Sequence, residues 1–190
     1  MGALDYYNQN TMSYIERTKN FDVSHIFYPF VALLQPKARI LDLGCGSGRD
    51  SLAFRALGFD VLAIDGAEEM VKYVASQGIP VQKMLMEEID FKEEFDGIWC
   101  CASLVHVAKE VLPDVLERID RALKPNGLLF VSFKAGQGEG FENGRYFHYV
   151  SEAELRNYLS GFDILTITSS DSDKNQTPTT WITAIARSRK

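Results

Sequence analysis

The chain has 190 residues, 46% of them hydrophobic and 24% charged, enough to bury a sizeable core in an ordinary globular fold. Its net charge of −6, with Lys and Arg scattered rather than striped, argues against a nucleic-acid partner and favours small ligands. No basic start leads into an apolar segment, and no run approaches the roughly 18 apolar residues of a membrane span, so the sequence reads as cytoplasmic with no membrane partner.

In chain order, residues 4–18 are polar and aromatic, with Tyr7 and Tyr14 near one helical face, which predicts a lid helix. A second helix over 24–34 ends before Pro36, because a residue preceding proline is pushed out of helical backbone. Residues 1–34 are therefore expected to form a helical lid on a single domain spanning 1–190. Short apolar runs follow at 39–43, 59–64, 81–85, 97–101 and 128–133. Helices fit between most of them, over 50–57, 68–76 and 109–123, and the last is stopped by the turn Lys124-Pro125-Asn126-Gly127. That alternation predicts an α/β fold around a parallel sheet.

Residues 134–145 are glycine-rich and polar, too irregular for core and too long for a simple turn, and 134–149 is expected to be a substrate-side loop. A helix over 152–160, a strand over 162–168, a polar loop over 169–177 and a last strand over 180–187 complete the reading. Cys45, Cys100 and Cys101 have neither C-x-x-C spacing nor clustered histidines, so they read as reduced thiols and no metal is expected.

The first apolar run breaks into Gly44-Cys45-Gly46-Ser47-Gly48, with Asp42 two residues ahead of the first glycine and Arg49 and Asp50 beginning the helix behind it. Glycines between a buried strand and a helix allow close approach of a ligand, and in dinucleotide folds they face a pyrophosphate. A carboxylate at that strand end would repel a pyrophosphate. It suits a cationic ligand, and S-adenosyl-L-methionine offers an ammonium, a sulfonium and no phosphate. Asp42 could instead serve only to accept backbone N–H bonds within the loop. Asp65 ends the second apolar run, 21 residues after Gly44, where a carboxylate can take both hydroxyls of a ribose or, with Glu68, cap the next helix.

With Asp42, the three glycines, Asp65 and the 123–127 turn in order, the chain resembles the class I S-adenosylmethionine-dependent methyltransferases over roughly residues 30–133. Through GCGSGRDS, FDVLAID at 59–65 and SEAELR at 151–156, it looks most like the small bacterial methyltransferases related to tellurite-resistance proteins. The resemblance implies a Rossmann-like, mostly parallel seven-stranded sheet with its last strand antiparallel and helices on both faces. It also implies cofactor contacts from Asp42, Gly44, Cys45 and Gly46, ribose binding by Asp65, and packing of the adenine by Gly66, Met70 and the loop after the third strand. Many relatives carry an aspartate in that loop for the adenine amine. Here Leu85 stands at its place, so either Glu87 takes the amine or Met86 packs on the ring. Cys101, Ala102 and Ser103 fall where relatives line the cofactor cleft.

A methyl sulfonium is already activated, so a general base is needed only by a nucleophile that arrives protonated. His106 stands where relatives often carry a histidine facing the cleft and is the candidate base; the other reading is a packed, hydrogen-bonded ring. Arg145 can bind an anion or stack on a ring, or pair with Glu139 or Glu142. The chain lacks the Asn/Asp-Pro-Pro-aromatic motif of nucleic-acid amino methyltransferases, the Pro-Cys of cytosine-carbon methyltransferases, and the late His-Arg pair of the tellurite group. The expected activity is methyl transfer to a small molecule. A noncatalytic S-adenosylmethionine-binding module and, less favoured, an NAD-dependent oxidoreductase stay open, and the oligomeric state is not legible.

Overall fold

The computed structural model describes residues 2–171 and 179–190. Three short helices open the chain: α1 (Ala3–Gln9), α2 (Thr11–Thr18) and α3 (Ser24–Val31). The single helix expected over 4–18 is broken at Asn10, where the backbone leaves helical geometry (φ −118°, ψ 19°). Side chains compete for carbonyls there, since Asn10 Nδ2 donates to Tyr6 O (2.9 Å) and Thr11 Oγ1 to Tyr7 O (2.6 Å).

The alternation predicted from residue 39 onwards is present as β1 (Arg39–Leu43), α4 (Arg49–Ala56), β2 (Asp60–Asp65), α5 (Glu68–Ser76), β3 (Val81–Lys83), β4 (Phe95–Cys100), α6 (Leu112–Ala122) and β5 (Leu123–Lys134). The 124–127 turn is a bulge inside β5. Asn126 takes φ 61°, and the register with β4 slips between Phe95↔Leu123 and Gly97↔Leu128.

Residues 134–145 are more regular than expected. They contain β6 (Glu139–Glu142) and lead into β7 (Arg145–His148), an antiparallel hairpin closed by Asn143-Gly144 with both residues at positive φ. A two-residue Asn-Gly turn of that hand matches the twist of the flanking strands, and the sequence carried this signal unread. Helix α7 (Glu152–Tyr158), β8 (Phe162–Asp171) and β9 (Thr180–Ser188) follow. Residues 169–171, expected in a polar loop, extend β8; the remainder of that loop, 172–177, lies outside the described residues.

The main sheet has seven strands in the order β3-β2-β1-β4-β5-β9-β8, with β9 running antiparallel to both its neighbours. Alternate residues feed opposite faces. Leu41, Ile98 and Leu129 pack in a core with residues of α6 and α7, whereas Ile40, Trp99 and Phe130 pack with Phe27 and Phe30 of α3 and Phe54 of α4. Trp99 and Phe130 stack at 3.9 Å between centroids, and Phe27, Phe30 and Phe54 meet the Trp99 ring at tilted or edge-on angles. The chain runs outward from β1 through β2 to β3, then crosses back to β4 on the other side of β1, so a crevice opens at the carboxyl ends of β1 and β4, the usual binding position in open α/β sheets.

Candidate active site

A cavity of about 470 Å³ occupies this crevice. Its walls come from the 42–50 segment, the end of β2, the residues after β3 and β4, and the inner side of α1 and α2. Asp42, Gly44, Cys45, Gly46, Asp65, Gly66, Met86, Glu87, Cys101, Ala102, Ser103 and His106 all line it. Met70 does not. Its side chain is fully buried between Ile15 and Ala67, because its place in the first turn of α5 points it at α2, and the expectation of cofactor contact is corrected. Arg145 is also absent from these walls and lies behind Tyr7.

The glycine loop spends its amides on the protein. Gly44 and Cys45 both donate to Ile64 O (2.9 and 3.0 Å), Gly46 to Asp65 Oδ2 (2.9 Å), and Gly48 to Cys45 O (2.9 Å). Gly44 (φ 75°) has a second constraint, since a Cβ there would stand 2.5 Å from Ser103 Cβ. Asp65 ties the loop to α5, its other oxygen accepting from Ala67 N (2.8 Å). The capping role foreseen for it is not met, because Ala67 is the N-cap of α5 and no side chain caps it, while Glu68 turns instead to Lys72 and Lys83.

Asp42 is buried and accepts from Ser51 Oγ (2.6 Å). Burial, reinforced by the neighbouring Asp50 carboxylate, raises its pKa to about 7. Burial raises Asp65 as well, against the pull of its two backbone donors. Arg49 and Asp50 begin α4 but also line the cavity, which the sequence reading missed. Arg49 holds both Asp50 oxygens (2.7 and 3.0 Å), and Trp99 Nε1 donates to Oδ2 (2.9 Å). This pair is internally balanced, so Asp42 and Asp65 set the sign of the field. The adjacency of Arg49 and Asp50 to the loop was visible in sequence; their orientation was not.

Ala102 sits at φ 54°, an unusual backbone for a residue with a side chain, held by its N–H donating to Ser132 Oγ (2.7 Å). Burial pushes the Cys101 thiol up to about 12, which disfavours its thiolate. Ser103 Oγ is buried with no hydrogen-bond partner in the protein.

At the far end, His106 Nδ1 lies 2.7 Å from Tyr146 O, which can only accept, so Nδ1 carries the proton. Nε2 then accepts from the Tyr7 hydroxyl (2.9 Å). Burial, with further contributions from Arg145 and Lys134, lowers the His106 pKa to about 4. Tyr7 and Tyr14 meet edge-to-face at 5.0 Å, and Asn8 Oδ1 accepts from Glu69 N (3.1 Å), docking α1 on α5.

This fold, with its acidic loop at the sheet's crossover point, defines the class I S-adenosylmethionine-dependent methyltransferase architecture. Residues 40–127 match the family described as a methyltransferase domain. YqeM of Bacillus subtilis, named as a methyltransferase, is 36% identical over 106 residues, 52% of this chain and 43% of YqeM. The chain spans less than half the length of the curated relatives it matches first. Among solved structures, the 1,6-didemethyltoxoflavin-N1-methyltransferase of Burkholderia thailandensis, with bound 1,6-didemethyltoxoflavin and S-adenosylhomocysteine, has a TM-score of 0.76 at 22% identity, covering 98% of this chain and 85% of that one. TehB of Haemophilus influenzae also scores 0.76, at 18% identity over 94% of this chain and 67% of its own. These two likenesses are of fold. Among the described residues no helix is long and apolar enough to cross a membrane.

Proposed function

We propose that the chain is a cytoplasmic S-adenosylmethionine-dependent methyltransferase acting on a small-molecule acceptor. One observation carries the reading: the amides of Gly44, Cys45, Gly46 and Gly48 donate to the protein itself, while Asp42 and Asp65 present carboxylates to the same cavity. A cavity of about 470 Å³ is of the size that encloses a small ligand. The residues fit the cofactor in kind. The Ser103 hydroxyl on the cavity wall has no partner in the protein and can meet a polar group of the cofactor. When bound, S-adenosylmethionine supplies an activated methyl group on a sulfonium. Asp42 favours its cationic end, Asp65 the ribose, and Gly66, Met86 and Glu87 the adenine side. Helices α1 and α2 form a lid whose Tyr7 and Tyr14 exclude water.

The role of His106 is to orient rather than to take a proton. Its acceptor nitrogen is filled by Tyr7, and the surrounding cations oppose an imidazolium. The Burkholderia enzyme, whose structure holds a small heterocycle and the demethylated cofactor, supports the same assignment here, as does the net charge of −6 against a nucleic-acid acceptor. Calorimetric titration with S-adenosylmethionine, S-adenosylhomocysteine and NAD tests the reading. The first two should bind and NAD should not; tight NAD binding without the others would overturn it.

A further inference from the structure

We infer that Arg145 is a positioning residue: it fastens α1 over the cavity by joining the rings of Tyr6 and Phe147, and it acts on the cavity wall through Tyr7. The fastening is a property of the fold, and its effect on cofactor release rests on the methyltransferase reading.

Helix α1 needs such a fastening. It has seven residues, none of them fully buried, and falls well short of the roughly 12 at which an isolated helix begins to hold in water. Its anchors are specific contacts: Asn8 Oδ1 on the Glu69 N–H, the Tyr7 hydroxyl on His106 Nε2, and Tyr6 against Arg145. Alternation along β7 puts Arg145 and Phe147 on one face of the strand, while Tyr146 between them gives its carbonyl to His106 Nδ1. The guanidinium carbon then lies over the Tyr6 ring, 4.7 Å from its centroid, and over the Phe147 ring at 5.1 Å. One cation thus spans from the lid to the hairpin. Phe147 stands 4.8 Å from the His106 ring, which carries the contact on to the turn after β4.

Arg145 is not spent on a carboxylate of its own. Glu142, whose charge it feels, accepts from Lys134 and Tyr149, and Arg145 Nε is buried with no hydrogen-bond partner. Its charge also faces the Tyr7 hydroxyl, which donates to His106. A cation beside that oxygen favours the orientation in which the phenol proton points away, towards Nε2. The same cation, with Lys134, opposes a second proton on the imidazole. Arg145 therefore reaches the cavity at one remove, from behind its wall.

Hydrogen exchange in the protein alone tests the fastening in wild type, Arg145→Gln, Arg145→Lys, Tyr6→Leu and the double variant Arg145→Gln with Tyr6→Leu. Backbone amides of residues 3–9 should exchange about fivefold or more faster in Arg145→Gln, and less fast in Arg145→Lys, which keeps the charge. The double variant should exchange no faster than the faster of its two parents, since partners in one contact lose it only once. By NMR titration, His106 should take up its proton at higher pH in Arg145→Gln than in wild type and stay close to wild type in Arg145→Lys, a distinction that lost packing alone would not make. Unchanged exchange over 3–9 in folded Arg145→Gln, or additive effects of the two substitutions, would overturn the inference. Release of labelled S-adenosylhomocysteine should quicken with the exchange, and an unchanged release rate would remove the positioning role. Failure of S-adenosylhomocysteine to bind the wild type would overturn the methyltransferase reading and leave the fastening to be decided by exchange and titration. Should Arg145→Gln not fold, Arg145→Lys and Tyr6→Leu decide it by the same rates.

Discussion

The Tyr7 hydroxyl donates to His106 Nε2 across 99 positions of sequence, joining the first helix of the chain to the turn that follows the fourth strand. Since Tyr146 O fixes the opposite nitrogen as the proton carrier, this bond has one direction. Tyr7→Phe removes it and leaves a buried acceptor unpaired, at a cost of about 1 to 3 kcal/mol. In a chain of this size the thermal midpoint should fall by roughly 2 to 4 °C per kcal/mol, and S-adenosylhomocysteine should dissociate faster. An unchanged midpoint and release rate, by scanning calorimetry and stopped flow, would remove the lid latch.

His106 also makes stability depend on pH. Its folded pKa of about 4 lies below the ordinary value of 6.5, so the neutral ring stabilises the fold fully above 6.5 and progressively less as pH falls towards 4. At pH 5 the loss should be about 2 kcal/mol relative to pH 7.5. Asp42 contributes with the opposite sign, because its raised pKa of about 7 makes stability fall as pH rises through that value. Urea unfolding of wild type and His106→Gln at both pH values isolates the histidine. The gap between the two proteins should shrink by about 2 kcal/mol at pH 5, and a constant gap would contradict the assignment.

Asp42 should link cofactor binding to protons. A cation favours the carboxylate, so binding near pH 7 should release a proton, and affinity for S-adenosylmethionine should fall about tenfold from pH 8 to pH 6. Calorimetry in buffers of different ionisation enthalpy measures the release. Asp42→Asn should bind more weakly and with a flat pH profile.

Gly44→Ala tests the closeness of the loop to the wall after β4. The new Cβ would press on Ser103 Cβ in a backbone conformation that side chains resist, so a loss of about 2 kcal/mol or more is expected by urea denaturation. Gly58→Ala shares the positive φ but meets nothing within 4 Å, and should cost less.

The parts of the fold written in local pattern were readable from sequence. The apolar run 39–43 and the helix 68–76, bounded by Ala67 and Gly78, coincide with β1 and α5. Asn143-Gly144 was equally local, but the glycines around it disguised a hairpin as an irregular loop. Other features had no local signature. Met70 looks like any buried or ligand-facing methionine until Ile15 is seen packed upon it. Asp50, paired with Arg49 on α4, also accepts from Trp99, which reaches it from β4. Most of the cavity wall was legible because it is built at strand ends, whereas the contact between Tyr7 and His106 exists only once distant elements meet.

The inward-turned amides of the 44–48 loop bear on competition among metabolites. ATP, ADP and NAD all contain the adenosine that such a crevice would admit, and each brings negative phosphates to the place where this protein offers Asp42 and no spare donor from Gly44, Cys45, Gly46 or Gly48. On the proposed reading, selection among adenosine compounds would be made on the sign of the charge next to the ribose, before any difference in shape is felt.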